Sequence, residues 1–129
     1  MGCLVVEMRL EVVPLPVVDV DASIAFYVDK VGFVLDHDVS PGNGMRVVQL
    51  TPPGSACSIV FGTGMSDPSR SPRVKNLHLV VTDIAAARNE LAGRGVEISE
   101  IQDLGGGVKY AYFGDPDGNS WALQEIPKR

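Results

Sequence analysis

The chain has little cysteine, no surplus of positive charge and no long apolar run, and each absence excludes something. Only Cys3 and Cys57 occur among 129 residues. Two cysteines are too few for a disulfide framework, and with no CxxC pair they do not suggest zinc. Free thiols in a reducing compartment follow, with Cys57 a small core residue. Lysine and arginine number 11 against 16 acidic residues, a net charge of −5 with neutral histidines. Such a chain lacks the electrostatic footprint for a phosphate backbone, so no nucleic-acid partner is expected. It has no basic cluster to hold an anionic membrane surface, and no run approaches a membrane span. The opening MGCLVVEMRLEVV has no basic region before its apolar residues and does not read as a signal peptide. The expectation is a cytoplasmic protein starting at Met1 or Met8. Gly105-Gly106-Gly107 lacks GK[ST] and precedes a strand pattern, so it reads as a hairpin loop rather than a phosphate cradle.

What is present is a repeat. The length is that of one domain, residues 1–129, with 45% hydrophobic residues to fill a core. VVPLPVVDVDASIAFY from Val12 matches NLHLVVTDIAAARNEL from Asn76. Asp19 and Asp83 lie 64 residues apart, and TPPGSACSIVF from Thr51 lies against DPDGNSWALQE from Asp115 at the same offset. Glycines close the two helical patterns at Gly32 and Gly95. Each half therefore reads as strand, helix, three strands. The first module is 8–61, the linker 62–75 and the second module 76–126.

The local signals support this order. Arg9–Val18 reads as a strand; Asp19 or Asp21 caps a helix with Val20, Ile24, Tyr27 and Val31 on one face. Gly32–Val39, Met45–Leu50 and Ala56–Phe61 supply three strands. The second half gives Asn76–Thr82, a helix over Asp83–Arg94 with Ile84, Ala87 and Leu91 inward, then Val96–Gln102, Val108–Phe113 and Ser120–Ile126. Asp115-Pro116-Asp117-Gly118 fits a type I turn. Thr51-Pro52-Pro53-Gly54 does not, because Pro53 drives Pro52 out of the helical region. That turn must be built otherwise, with a cis bond as one option.

With PVVDVDASIAFYVDKVGF early and DPDGNSWALQEI late, the duplicated chain resembles the vicinal oxygen chelate superfamily over residues 8–126. Glyoxalases, extradiol dioxygenases, fosfomycin-resistance enzymes and bleomycin-binding proteins belong there. The resemblance implies an α+β fold: two tandem βαβββ modules forming a half-barrel-like curved mixed sheet, helices outside, a ligand between modules, and a homodimer. It also implies metal-ligand positions on the first and last strand of each module. These correspond to Val12, Ser58, Asn76 and Ala122. Valine and alanine cannot ligate, and two neutral oxygens do not hold a first-row metal, so no metal or other cofactor is expected. A slip of two residues would bring in His78 and Gln124, with Pro14 and Val60 in the other half.

Without an ion, the cavity is the functional candidate. By strand parity Ser58, Asn76, His78 and Gln124 share its walls. Tyr110 and Tyr112 share one face of their strand, and the repeat assigns them Arg46 and Val48 as counterparts. Arg46, Ser58, Asn76, His78, Tyr110, Tyr112 and Gln124 are thus the ligand-binding candidates, suited to a small, flat, partly polar organic molecule. His78 sits in the apolar LHLVV and reads equally as a half-buried core histidine. Trp121 and Phe113 read as core, Glu125 as facing the helix side or the surface, Arg88 and Glu90 as a solvated face. Two function classes follow. One is a metal-free binding protein. The other is a metal-independent isomerase, lyase or cyclase using His78 or Tyr112 as acid–base. A metal-dependent lyase or dioxygenase comes after both.

Overall fold

Asp19 and Asp83 start the two helices. The computed structural model describes residues 6–64, 67 and 70–127; Cys3 and parts of the 62–75 linker lie outside them. Each aspartate has extended backbone, and its carboxylate accepts a 3.1 Å hydrogen bond from an amide three residues on, Ala22 or Ala86. That interaction satisfies a helix-end amide that would otherwise lack a partner. Helix α1 (Val20–Ile24) continues unbroken as a π-helical segment, Ala25–Val31; α2 is Ile84–Gly93. Gly32 and Gly95 follow at φ +93° and +92°, a left-handed conformation that glycine alone adopts without strain. Val20, Tyr27 and Val31 are buried as their spacing requires, Ile24 packs half-buried against the same core, and Ser23 is buried beside them. No helix among the described residues is long and apolar enough to cross a membrane.

The strands are β1 (Val12–Pro14), β2 (Val34–Gly42), β3 (Met45–Thr51), β4 (Ser58–Thr63), β5 (Leu77–Val80), β6 (Gln102–Asp103), β7 (Lys109–Gly114) and β8 (Ser120–Glu125). They form two four-stranded mixed sheets, ordered β1-β4-β3-β2 and β5-β8-β7-β6. In each, the module's first strand runs parallel to its last, and the other pairs are antiparallel. The fold is α+β, and the shared strand order is the repeat made visible.

Several strands are shorter than their apolar runs. β1 covers three residues of the expected Arg9–Val18, because Pro14 and Pro16 have no amide to give a ladder. Val96–Gln102 holds only the bridge Ile98–Phe113 before β6 begins. Ser99 interrupts it. Its hydroxyl accepts from the Tyr112 amide at 2.8 Å, and its carbonyl accepts from Arg88 Nε at 2.7 Å. Arg88 is therefore a structural residue, not a merely solvated one. The double-proline turn contains no cis bond. The Ser55 amide donates to the Pro52 carbonyl at 3.0 Å, so the turn starts one residue later than expected. Pro53 then occupies its second position and Gly54, at φ +80°, its third, as a type II turn requires.

One core serves both modules. Val48, Leu50, Ile59 and Phe61 from the first sheet meet Ala111, Phe113, Trp121 and Leu123 from the second, with the helices contributing Tyr27, Ile84 and Leu91. Tyr27 is fully buried, its ring centroid 5.4 Å from Phe33, 6.1 Å from Phe61 and 5.8 Å from Trp121. Because side chains alternate along a strand, the other side of each sheet is turned away from this core.

Candidate functional site

Strand pairing corrects the repeat. Val12 pairs with Ser58 in the first sheet, and His78 with Ala122 in the second. The Leu15 amide bonds the Val60 carbonyl just as the Val81 amide bonds the Gln124 carbonyl, each at 2.9 Å. The structural counterpart of Val12 is therefore His78, not Asn76. Between strand and cap the first half runs Leu15 to Asp19 and the second Val81 to Asp83, a difference of two residues. Asn76 precedes β5, at φ +57°, and its amide donates to Ser120 Oγ at 2.8 Å.

A second slip is odd. Leu50 pairs with Ile59, whereas Ala111 pairs with Leu123, so between equivalent pairs the second module's hairpin is three residues longer, its ladder running on to Gly114 and Ser120. The counterpart of Tyr110 is Gln49 rather than Arg46. An odd shift moves a side chain to the opposite face. Arg46 accordingly lies on the helix side with buried Val48. Its guanidinium donates to both Asp38 oxygens at 2.9 and 2.8 Å and to Asp21 Oδ1 at 2.9 Å. These hydrogen bonds hold the Asp38 carboxyl below its ordinary range. Arg46 does not join the other candidates.

His78, Tyr110, Tyr112 and Gln124 do come together, on the side of the second sheet away from the core. Across the sheet His78, Ala122 and Tyr112 form one row, and Val80, Gln124 and Tyr110 the next. The two tyrosine rings stack at 5.9 Å with an interplanar angle of 5°. His78 meets Tyr110 edge-on at 5.6 Å, and Gln124 Nε2 donates to the Tyr110 hydroxyl at 2.7 Å. Tyr112 remains 36% exposed. Ala122 is fully buried in the row between His78 and Tyr112. In the first sheet the matching side carries Val12, Gln49, Thr51, Ser58 and Val60. Ser58 Oγ lies 2.6 Å from Thr51 Oγ1, which in turn donates to Asp36. Where the modules adjoin, a groove of about 740 Å³ runs past Phe33, Pro53, His78, Val80, Leu91 and Arg94.

The corrected ligand set, Val12, Ser58, His78 and Ala122, supplies one imidazole and one neutral hydroxyl. That does not fit a first-row metal, which needs three or more strong donors. Among the described residues no three His, Cys, Asp or Glu side chains lie close enough to hold an ion.

The sequence also concealed a buried latch. Asp115 accepts from Tyr27 Oη at 2.7 Å, from Asn119 Nδ2 at 2.9 Å, and from the Asp117 and Asn119 amides at 2.9 Å each. Asn119 Nδ2 also donates to the Pro16 carbonyl at 3.0 Å, and Asp117 Oδ1 accepts from the Val18 amide at 3.1 Å. Trp121 Nε1 donates to Tyr27 Oη at 3.0 Å. The DPDGN segment thus ties the second module to the first. An Asp-Pro-Asp-Gly run signals the turn, but nothing in it signals the long-range partners. Glu125 accepts from the Ile84 amide at 2.9 Å, so it faces the helix side and caps α2.

Residues 9–123 match the Glyoxalase/Bleomycin resistance protein/Dioxygenase superfamily. No curated protein sequence matches the chain. Among solved structures, TnmS3, an antibiotic binding protein from Streptomyces sp. CB03234, is 31% identical with a TM-score of 0.80, the match covering 96% of this chain and 100% of that one. A superfamily member from Sphaerobacter thermophilus DSM 20745 is 28% identical at TM-score 0.79, covering 92% and 98%. A glyoxalase/bleomycin resistance protein from Streptomyces sp. CB03234 is 33% identical at TM-score 0.72, covering 89% and 98%. The duplicated modules, their strand order and the match along nearly the whole length agree: the chain belongs to the glyoxalase/bleomycin resistance protein/dioxygenase superfamily.

Proposed function

We propose that this protein binds a small, partly aromatic organic molecule without a metal, sequestering rather than converting it. The stacked Tyr110–Tyr112 pair carries the reading. Two parallel rings, edged by His78 and with Tyr112 partly open, offer a flat apolar wall with polar groups at its margin. The likeness to an antibiotic binding protein supports it. The poor donor set supports the metal-free part. The alternative, a metal-independent isomerase, lyase or cyclase using His78 or Tyr112, draws less support: His78 Nδ1 meets a backbone carbonyl rather than a carboxylate that would stabilise an imidazolium.

Protein desalted after separate exposure to Mn, Fe, Co, Ni and Zn is expected to carry almost none of them. The same preparation, screened against planar aromatic antibiotics, is expected to gain thermal stability saturably and to return each compound unchanged; at ligand a hundredfold above Kd the gain is about 2.7 kcal/mol. Conversion of the compound, or one ion per chain, would defeat the reading.

The proposal includes a homodimer in the cytoplasm. Val12 is 48% and Val80 61% exposed on the sides away from the core, and the residues before β1 expose Val6, Met8 and Leu10. Covering such apolar surface is favourable. Sedimentation equilibrium at micromolar concentration should give twice the chain mass; a monomer would remove this part.

A further inference from the structure

We infer that the ligand is a neutral hydroxylated aromatic, its hydroxyl donating to His78 and an oxygen of it accepting from Tyr110. The inference rests on reading this face as the ligand site. It begins with a proton. His78 Nδ1 lies 2.6 Å from the carbonyl oxygen of Asn76. A carbonyl has no hydrogen to give, so Nδ1 carries the proton. A neutral imidazole has one N–H, which leaves Nε2 with its lone pair. No described residue bonds Nε2. The arrangement is held from below: Asn76 takes its left-handed conformation at φ +57° while Ser120 Oγ accepts its amide at 2.8 Å, fixing the carbonyl that sets the tautomer.

The neighbouring group has the opposite polarity. An amide nitrogen can only donate, so the 2.7 Å bond from Gln124 Nε2 uses the Tyr110 oxygen as acceptor. The phenolic hydrogen of Tyr110 stays available. One acceptor and one donor therefore stand side by side, their rings 5.6 Å apart, next to the open ring of Tyr112. A hydroxyl on an aromatic ring meets both needs while the ring lies along Tyr112.

Charge narrows the class. No lysine or arginine occupies this side of any strand: Lys109 pairs with Glu125 on the helix side, and Arg46 is held by Asp38 and Asp21. Arg94, which lines the groove with His78, is paired with Glu90 at 2.9 Å, so in a protein of net charge −5 a carboxylate or phosphate would have to compete for the only nearby guanidinium among the described groove residues. A neutral hydroxyl needs no counter-charge.

The probes are 2-naphthol and 2-methoxynaphthalene, which differ by the hydrogen that Nε2 would accept. Calorimetric titration should show 2-naphthol binding about tenfold more tightly, the worth of one partly exposed hydrogen bond. In His78→Phe, which keeps a ring edge against Tyr110, the ratio should fall to about one. Nitrogen NMR of the unliganded wild type, which needs no variant to fold, should find the proton on Nδ1. Equal binding of both probes by the wild type, or a proton on Nε2, would overturn the inference and leave the binding function standing. Failure of both probes to bind would count against the inference and against the binding function on which it rests.

Discussion

Asp115→Ala is expected to lower the stability of the fold by about 3–5 kcal/mol, among the largest losses a single substitution gives. The reason is what it abandons. Asp115 is buried and accepts four hydrogen bonds, two from amides of its own turn and two from Tyr27 and Asn119. Alanine removes the acceptor shared by those four donors, and the Tyr27 and Asn119 side chains among them are fully buried. An unsatisfied buried donor costs its full desolvation, about 1–3 kcal/mol each, offset in part by relaxation. Thermal unfolding should show a midpoint about 10–20 °C lower. Tyr27→Phe removes one donor but keeps the ring against Phe33, Phe61 and Trp121, so its loss should be smaller. Equal stability of Asp115→Ala and wild type would mean that the latch does not hold the modules. The same cluster sets the alkaline limit. Burial first, and then the Asp115 charge, push the Tyr27 hydroxyl far above its ordinary value. An unfolded tyrosine ionises near pH 10, roughly, so the unfolded state binds fewer protons above that pH and stability falls as pH rises.

The latch also shows what a sequence can carry. Helix starts and stops were legible because each depends on chemistry within a few residues: an aspartate facing an amide three positions on, a glycine at positive φ. Register was not, because it is set across loops. Counting back from Asp83 placed Asn76 opposite Val12, but the first module has two extra residues ahead of its cap. An even slip keeps the face, so His78 was still found among the right neighbours. The three extra residues of the second module's β7–β8 hairpin are an odd slip, which put Arg46 with the tyrosines when it belongs across the sheet. The departures from the repeat meet in space. Pro16 and Val18, in the longer strand-to-helix connection of the first module, bond to Asn119 and Asp117 in the turn of the second module's longer hairpin. What broke the sequence alignment is what joins the modules.

Tyr112→Ala should weaken binding of a planar aromatic ligand by about tenfold to a hundredfold, since it removes the open half of the stacked wall; base–aromatic stacks of similar area are worth about 1–3 kcal/mol. Tyr110→Ala should cost as much, because it removes the ring that His78 and Tyr112 both touch and the hydroxyl that Gln124 holds. Neither should cost much stability, for the wall lies outside the shared core. Arg46→Ala should do the reverse. It strands Asp38 and Asp21 on the helix side, lowers the unfolding midpoint slightly, and leaves ligand affinity within about twofold, because exposed ion pairs contribute little and none of these groups reaches the tyrosine face. Equilibrium titrations of the three variants against one aromatic ligand decide it. If Arg46→Ala loses affinity and Tyr112→Ala does not, the ligand sits on the other side of the sheets, and the face chosen by strand parity is the wrong one.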